Sequence, residues 1–278
     1  MNERSADPEF KPSRVSVSEL ERIGEGRQAE LFVWLGGVVK LFRNPRDITS
    51  ARREAADMLL LSTAGLPMPR IVDTVAIEER PGIVMERLDG TDQLTLLGRK
   101  PWTIWKAAKN LARLHAEMHA TVAPEGLRSL RSSIRTEIEG SKAVPRDRKQ
   151  RVLATLDALS DGISVCHWDF HPGNVIETAD GPKVIDWANV RRGHALADVV
   201  RTLQILRSGA LPPGTPFLLR TLTAFGRAVL SSRYLYEYRR LRPFHNKDLE
   251  AWGLVSAASR LSYGLAEERE RLLGLLRP

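Results

Sequence analysis

Between His167 and Trp187 the chain gathers side chains that can move a proton and hold a divalent cation. The run His167-Trp168-Asp169-Phe170-His171-Pro172-Gly173-Asn174-Val175 is followed, after a short gap, by Val184-Ile185-Asp186-Trp187. Asp169 offers a carboxylate able to take up the proton of an attacking hydroxyl. Asn174 and Asp186 offer amide and carboxylate oxygens, the hard ligands suited to a Mg2+ that bridges phosphate oxygens. Val175-Ile176 and Val184-Ile185 read as two short strands, joined by the turn-forming Ala179-Asp180-Gly181-Pro182. Such a hairpin is expected to return Asn174 and Asp186 to one end, which a scatter of acids would not do.

The spacing H-x-D-x-x-x-x-N, then an Asp after an apolar pair, is the layout of a kinase catalytic loop and metal loop. Its wording, CHWDFHPGNVI followed by VIDW, resembles the aminoglycoside phosphotransferase and choline kinase family, whose fold is like that of protein kinases. That family usually writes HGDxHPGNxx and then xIDW. Trp168 departs from it by replacing a small residue before the Asp, and Phe170 stands where Leu is also common. Neither change removes a reacting group. The resemblance runs from Ile23 to about Leu275. It implies an α+β, protein-kinase-like, two-lobed fold, with a small antiparallel β-sheet lobe and a larger, mainly helical lobe. It also implies transfer of the γ-phosphate of ATP, with GTP an open alternative, to a hydroxyl of a small molecule. Asp169 would be the catalytic base, and Asn174 and Asp186 would hold Mg2+.

The elements that must position these groups begin upstream. Ile23-Gly24-Glu25-Gly26 through Trp34 reads as strand, glycine turn, strand. Gly24 and Gly26 let the backbone approach phosphates, because no β-carbon intrudes; the third glycine of a protein-kinase loop is missing, with Ala29 near its place. Lys40 lies within Val38-Val39-Lys40-Leu41-Phe42, where a charge between apolar neighbours needs a reason. An ammonium there suits the α- and β-phosphates of a nucleotide. Ala51, Ala55, Met58, Leu59 and Ser62 predict a helix over 47–64, closed by Gly65-Leu66-Pro67-Met68-Pro69. Glu54 on that helix is the expected anion for Lys40, as in the resembled family, with Asp57 as the fallback. Strands are expected over 71–77 and 83–85, around a turn at Glu79-Arg80-Pro81-Gly82. By resemblance, 85–90 is the hinge: the Glu86 carbonyl and Leu88 amide would hold adenine, and Met85 would line the purine pocket. The expected organisation is a flexible N-terminal extension over 1–15, a nucleotide-binding lobe over 16–86, and a catalytic and substrate lobe over 87–278. Within the last, 191–278 is the helical acceptor-site region.

In the second lobe, Trp105, Ala108, Leu111, Ala112, His115 and Met118 keep helical register over 101–121. His115 and His119 stand four apart, as a metal pair would. The zinc-protease motif needs Glu directly after the first His, and Ala116 is there instead. With no third ligand close in sequence, the pair reads as helix packing, and in the resembled family such a histidine helix is structural. A loop with a short helix is expected over 123–148 and a helix over 150–159. His167 is assigned to support of the loop backbone, while His171 is left between substrate contact and packing. By resemblance, Asp198 braces the catalytic loop. The remainder is mostly helical, with a break at Leu211-Pro212-Pro213-Gly214.

Composition sets the wider limits. A chain of 278 residues, 42% hydrophobic and 27% charged, suits a soluble globular protein. The single cysteine, Cys166, excludes an intramolecular disulfide and, beside Ile163 and Val165, reads as a buried apolar residue. That fits a reducing, cytoplasmic setting, and no apolar run reaches membrane-spanning length, so no membrane partner is expected. The net charge of +8 arises from Arg191 onward, where fifteen Lys and Arg face seven Asp and Glu. These basic residues carry no aromatic interleaving, so no nucleic-acid partner is expected. A polycationic aminoglycoside calls for an acid-rich pocket. Glu237, Asp248, Glu250, Glu267, Glu268 and Glu270 are the acids available, in a region basic overall. A neutral or anionic hydroxyl compound is therefore the expected acceptor. Two rivals remain: a silent nucleotide-binding pseudokinase or scaffold, although every reacting position is filled, and a protein kinase, although no Ala-Pro-Glu follows Asp186. The sequence does not indicate an oligomeric state.

Overall fold

The computed structural model describes residues 8–208, 216–264 and 268–276. Along the chain run β1 (Lys11–Pro12), β2 (Arg22–Glu25), β3 (Ala29–Trp34), β4 (Gly37–Phe42), α1 (Ile48–Leu61), β5 (Ile71–Ile77), β6 (Arg80–Glu86) and β7 (Gly90–Asp92). Next come α2 (Gln93–Arg99), α3 (Ile104–Ala120), α4 (Leu130–Gly140), α5 (Arg146–Ala158), β8 (Ser164–Cys166), β9 (Val175–Thr178), β10 (Gly181–Val184) and β11 (Arg191–Gly193). Helices α6 (Ala195–Arg207), α7 (Phe217–Leu241), α8 (Asn246–Leu261) and α9 (Arg269–Leu275) complete the order. Contacts divide the chain into two units. The first takes in the residues up to Thr91 with Ile176–Asn189, and the second takes in Asp92–Val175 with the residues from Val190 onward. The segment carrying Asp186 thus groups with the N-terminal strands.

The first unit is built on a six-stranded sheet ordered β1-β5-β6-β4-β3-β2. Strict alternation along β4 buries Val39 and Leu41 completely and turns Lys40 to the other face. Phe32, Val75, Ile77 and Val84 join the buried pair in one cluster. The turn joining β5 to β6 lies at Glu78 and Glu79, with φ of 50° and 65°, and not over Glu79–Gly82 as expected. A two-residue loop with both central residues left-handed follows the natural twist of a hairpin, which frees Arg80, Pro81 and Gly82 to extend β6. The expectation of a loose segment over 1–15 is also narrowed. β1 pairs in parallel with β5, Lys11 opposite Val75, and the Thr74 hydroxyl donates to the Glu9 carbonyl at 2.7 Å. The edge of β5 offers backbone groups that this segment satisfies; residues 1–7 lie outside the described ones. Helix α1 follows a short turn capped by the Asn44 side chain and buries Ala51, Glu54, Ala55, Asp57, Met58 and Leu61. A second sheet, ordered β10-β9-β7, carries the Asp186 segment. A β-carbon on Gly90 would stand 2.2 Å from the Glu177 carbonyl oxygen, so the approach of β7 to β9 requires glycine.

The second unit is mainly helical. α3 packs along α7, and α4, α5, α6 and α8 enclose a core containing Ile134, Val152, Leu156, Val200, Trp252 and Val255. α4 is longer than the short helix expected in 123–148. Ser129 caps it by accepting from the Ser132 amide, and Leu130, Ile134 and Ile138, at i, i+4 and i+8, form its buried seam. β8 and β11 pair antiparallel, Cys166 opposite Arg191. No described helix is long and apolar enough to cross a membrane.

Candidate active site

In the first unit, Lys40, Glu54 and Asp186 come together. The Lys40 ammonium donates to Glu54 Oε1 at 2.8 Å and Oε2 at 3.0 Å, and to Asp186 Oδ1 at 2.9 Å. The strand period aims Lys40 at α1, and the helix period brings Glu54 to meet it. The fallback partner, Asp57, is buried on the same helix. Burial alone would make the ammonium easier to deprotonate; Glu54 and then Asp186 outweigh it and hold the Lys40 pKa above the ordinary lysine value. Burial raises the pKa of the Glu54 carboxyl more than Lys40 lowers it, and Asp186 adds to the rise. The Lys40 ammonium is thus shared between two carboxylates. Asp186 also takes φ of 62°, a left-handed conformation that a non-glycine residue holds at a cost and that is commonest at functional sites.

The two glycines behave differently from Gly90. A β-carbon on Gly24 would make ordinary contact with Leu31, and one on Gly26 would lie 3.6 Å from the Ala29 carbonyl oxygen. The fold itself does not demand glycine at either place. Met85 is buried in β6 opposite Val38, and the Glu86 amide bonds the Arg70 carbonyl at 2.9 Å. Leu88 lies in the segment between β6 and β7.

In the second unit, Asp169 and Asn174 come together. Asn174 Nδ2 donates to the Asp169 carbonyl at 2.9 Å, which directs the amide oxygen away from that bond, as a metal ligand requires. His171 caps the short turn Pro172–Asn174, its Nδ1 accepting from the Gly173 amide at 3.0 Å. Trp168, directly before Asp169, has φ of 65°. What holds that backbone is Asp198. Its Oδ2 accepts from the His167 amide at 2.5 Å and its Oδ1 from the Trp168 amide at 2.9 Å.

The same carboxylate collects the two helix histidines. His115 Nε2 lies 3.1 Å and His119 Nε2 3.3 Å from Asp198 Oδ2, while the two Nδ1 atoms meet the hydroxyls of Tyr234 and Tyr238 at 2.6 and 2.7 Å. All five residues are almost wholly buried. Burial pushes both histidines down, His119 to about 3, so the rings are neutral. Burial would raise Asp198, but His115 and His119 outweigh it and hold it far below the carboxylate range. An ionised Asp198 only accepts, so each Nε2 must carry its proton and each Nδ1 must accept from a tyrosine. Although His115, His119 and Asp198 offer three ligand atoms within 4.8 Å of one another, these nitrogens are committed to hydrogen bonds. The histidine pair packs α3 against α7 and is tied through Asp198 to the backbone before Asp169.

A family model described as "Phosphotransferase enzyme family" matches residues 19–244. The chain belongs to that family. No individually curated protein matches this member of the phosphotransferase enzyme family in sequence. Among solved structures, it is similar to an aminoglycoside-3'-phosphotransferase of type VIII, at 19% identity and a TM-score of 0.61, covering 86% of this chain and 93% of the other. A thermostable mutant of aminoglycoside phosphotransferase APH(4)-Ia, in ternary complex with AMP-PNP and hygromycin B, matches at 16% and 0.63, over 94% and 93%. The amicoumacin kinase hAmiN, in complex with AMP-PNP, Ca2+ and Ami, matches at 14% and 0.59, over 96% and 88%. The fold is therefore protein-kinase-like, with an antiparallel-rich sheet first and helices after it, and family membership supports a small-molecule phosphotransferase.

Within this phosphotransferase-family chain, two of the acids considered for the acceptor site are already engaged. Glu237 is buried between Arg233 and Arg240, and Glu268 forms a buried two-bond pair with Arg260. Glu267 lies outside the described residues. Sequence reasoning missed Tyr234 and Tyr238, whose i, i+4 spacing on α7 matches that of His115 and His119, and it missed Arg201, buried on α6 one turn after Asp198.

Proposed function

We propose that this protein is an ATP-dependent O-phosphotransferase acting on a hydroxyl of a small molecule. The observation that carries the proposal is the Lys40 ammonium held by Glu54 and Asp186. It is an arrangement with no packing advantage over apolar residues and an evident use in steadying phosphates. Gly24 and Gly26 would present backbone amides to the nucleotide phosphates, and Met85, Glu86 and Leu88 would receive the base. Asn174 and Asp186 supply an amide and a carboxylate oxygen, a donor set that fits Mg2+ better than a softer ion. The metal, when bound, would neutralise charge on the phosphate oxygens. Asp169 would orient the acceptor hydroxyl and take its proton. The hydroxyl oxygen would bond to the γ-phosphorus, the bond from that phosphorus to the β,γ-bridging oxygen would break, and ADP would leave with the electron pair. Catalysis of this kind is mostly positioning and charge stabilisation. The bound AMP-PNP of two related structures is consistent with ATP as donor, and GTP is the alternative because a hinge reads bases through its backbone.

The test is nucleotide consumption with Mg2+, using ATP and GTP, against sugars, choline-like alcohols, hydroxy acids and aminoglycosides. Acceptor-dependent turnover is expected, and Asp169→Asn should abolish it while leaving nucleotide affinity within about threefold. If Asp169→Asn loses ATP affinity yet still turns over, the assigned role fails. Nucleotide binding without turnover of any acceptor would favour the silent-binder reading.

A further inference from the structure

Arg201 sits on α6 one turn after Asp198 and is 5% exposed. Its Nε donates to the carbonyl of Trp168, the residue before Asp169, at 3.4 Å. Its guanidinium carbon lies 5.3 Å from the Trp168 ring centre and 4.8 Å from that of Tyr263. Nη1 is buried and has no hydrogen-bond partner. A guanidinium stays charged and has five N–H donors, so a buried one that is incompletely paired is a rare arrangement needing a reason. The surrounding acids do not supply it. Glu137 accepts from the hydroxyls of Ser259 and Tyr263, and Glu268 is taken by Arg260. Burial, and then the like charge of Arg260, push the Arg201 pKa down, against the opposing pull of Tyr263, Asp169 and Glu137. Two aromatic rings against the guanidinium hold the fork in place, and one of them, Tyr263, is 42% exposed.

We propose that Arg201 reads an anionic group, carboxylate or phosphate, carried by the same molecule whose hydroxyl is phosphorylated. This rests on Asp169 being the base. An anion beside Arg201 completes the unused Nη1 donor and adds to the partial compensation that Tyr263, Asp169 and Glu137 give its charge, and planar two-point recognition is the chemistry a fixed guanidinium fork serves best. A polycation gains nothing there, since Arg201 and Arg260 repel it and Glu268 and Glu237 are already paired.

The experiment uses the full chain with Mg2+ and ATP, and compares glycerate, gluconate and 3-hydroxybutyrate with their neutral amides and with kanamycin. Carboxylates should be the better acceptors. Arg201→Gln should raise their KM at least about tenfold with kcat changed much less, and Arg201→Lys should recover part of the loss. A purely structural Arg201 would instead lower kcat for every acceptor alike. Equal use of acid and amide, or a preference for kanamycin, overturns the anion subsite and leaves the phosphotransferase reading intact. Should none of these acceptors consume ATP, calorimetric titration of the same carboxylates and of inorganic phosphate, with AMP-PNP present, decides. Binding lost in Arg201→Gln supports the subsite, and no Arg201-dependent binding overturns it. If Arg201→Gln does not fold, Arg201→Lys, which keeps the charge but loses the fork, reads the same split.

Discussion

Replacing Asp198 by Asn changes one atom and reverses the hydrogen-bonding character of half the group. The carboxylate accepts four N–H donors: the Nε2 protons of His115 and His119 and the His167 amide on Oδ2, and the Trp168 amide on Oδ1. Asparagine can keep an oxygen for three of them, but its NH2 then faces the Trp168 amide, donor against donor. An unmet buried donor costs about 1–3 kcal/mol, and the other three bonds lose the strength an ionised acceptor gave them. Tautomer shifts in the histidines recover part of this by turning Nε2 into an acceptor, at the expense of the tyrosine bonds. The net loss should be about 4 kcal/mol, which for a unit of this size lowers Tm by roughly 8–16 °C. Scanning calorimetry reads the shift, and steady-state kinetics should show kcat falling more than the KM for ATP, because the disturbed backbone directly precedes Asp169. A melt within about 2 °C of the parent would refute the claim that Asp198 holds this loop.

Gly90→Ala should cost about 1–3 kcal/mol, because its β-carbon meets the Glu177 carbonyl oxygen at 2.2 Å and β7 or β9 must shift. Gly98→Ala, which meets nothing within 4 Å in α2, is the control and should be neutral or stabilising by up to about 1 kcal/mol; equal melts for the two variants would count against the close approach. The pH dependence has a defined sign. Burial keeps His115 and His119 neutral in the folded chain, while the unfolded chain protonates them near the ordinary histidine value. The unfolded state therefore binds more protons as pH falls below roughly 6.5, and stability drops by up to about 1.4 kcal/mol per pH unit per histidine. The depressed Asp198 carboxyl adds a further loss as pH falls below roughly 4, where only the unfolded state takes its proton. Urea midpoints at pH 7.5, 6.5 and 5.5 should fall by a small step and then by a larger one; an unchanged midpoint at pH 5.5 would contradict the buried neutral pair.

Residues whose reasons are local were legible in the sequence, and those whose reasons are tertiary were not. Lys40 stood out because a strand of period two cannot hide a charge between Val39 and Leu41 without giving it a face of its own. Glu54 followed from the resemblance, because Glu54 and Asp57 lie three apart on one helix and residue type alone does not choose between them. Asn174 and Asp186 were marked by the motif, but the left-handed φ at Trp168 could not be read from a bulky residue that ordinarily avoids it, and at Asp186 residue type permits that conformation without announcing it. The β5–β6 turn moved for a similar reason, since Glu78 and Glu79 are not residues that announce a left-handed pair. The histidines make the limit plainest. They were set aside as a metal site for want of a third ligand nearby, and Asp198 supplies a carboxylate seventy-nine residues beyond His119. What decides between a metal centre and a hydrogen-bonded brace is then the far side of each ring. Tyr234 and Tyr238 occupy it, each one hundred and nineteen residues further along the chain than its histidine. With both nitrogens of both rings spent, the cluster has no ligand to give, and its remaining effect is on the backbone amides of His167 and Trp168, just before Asp169.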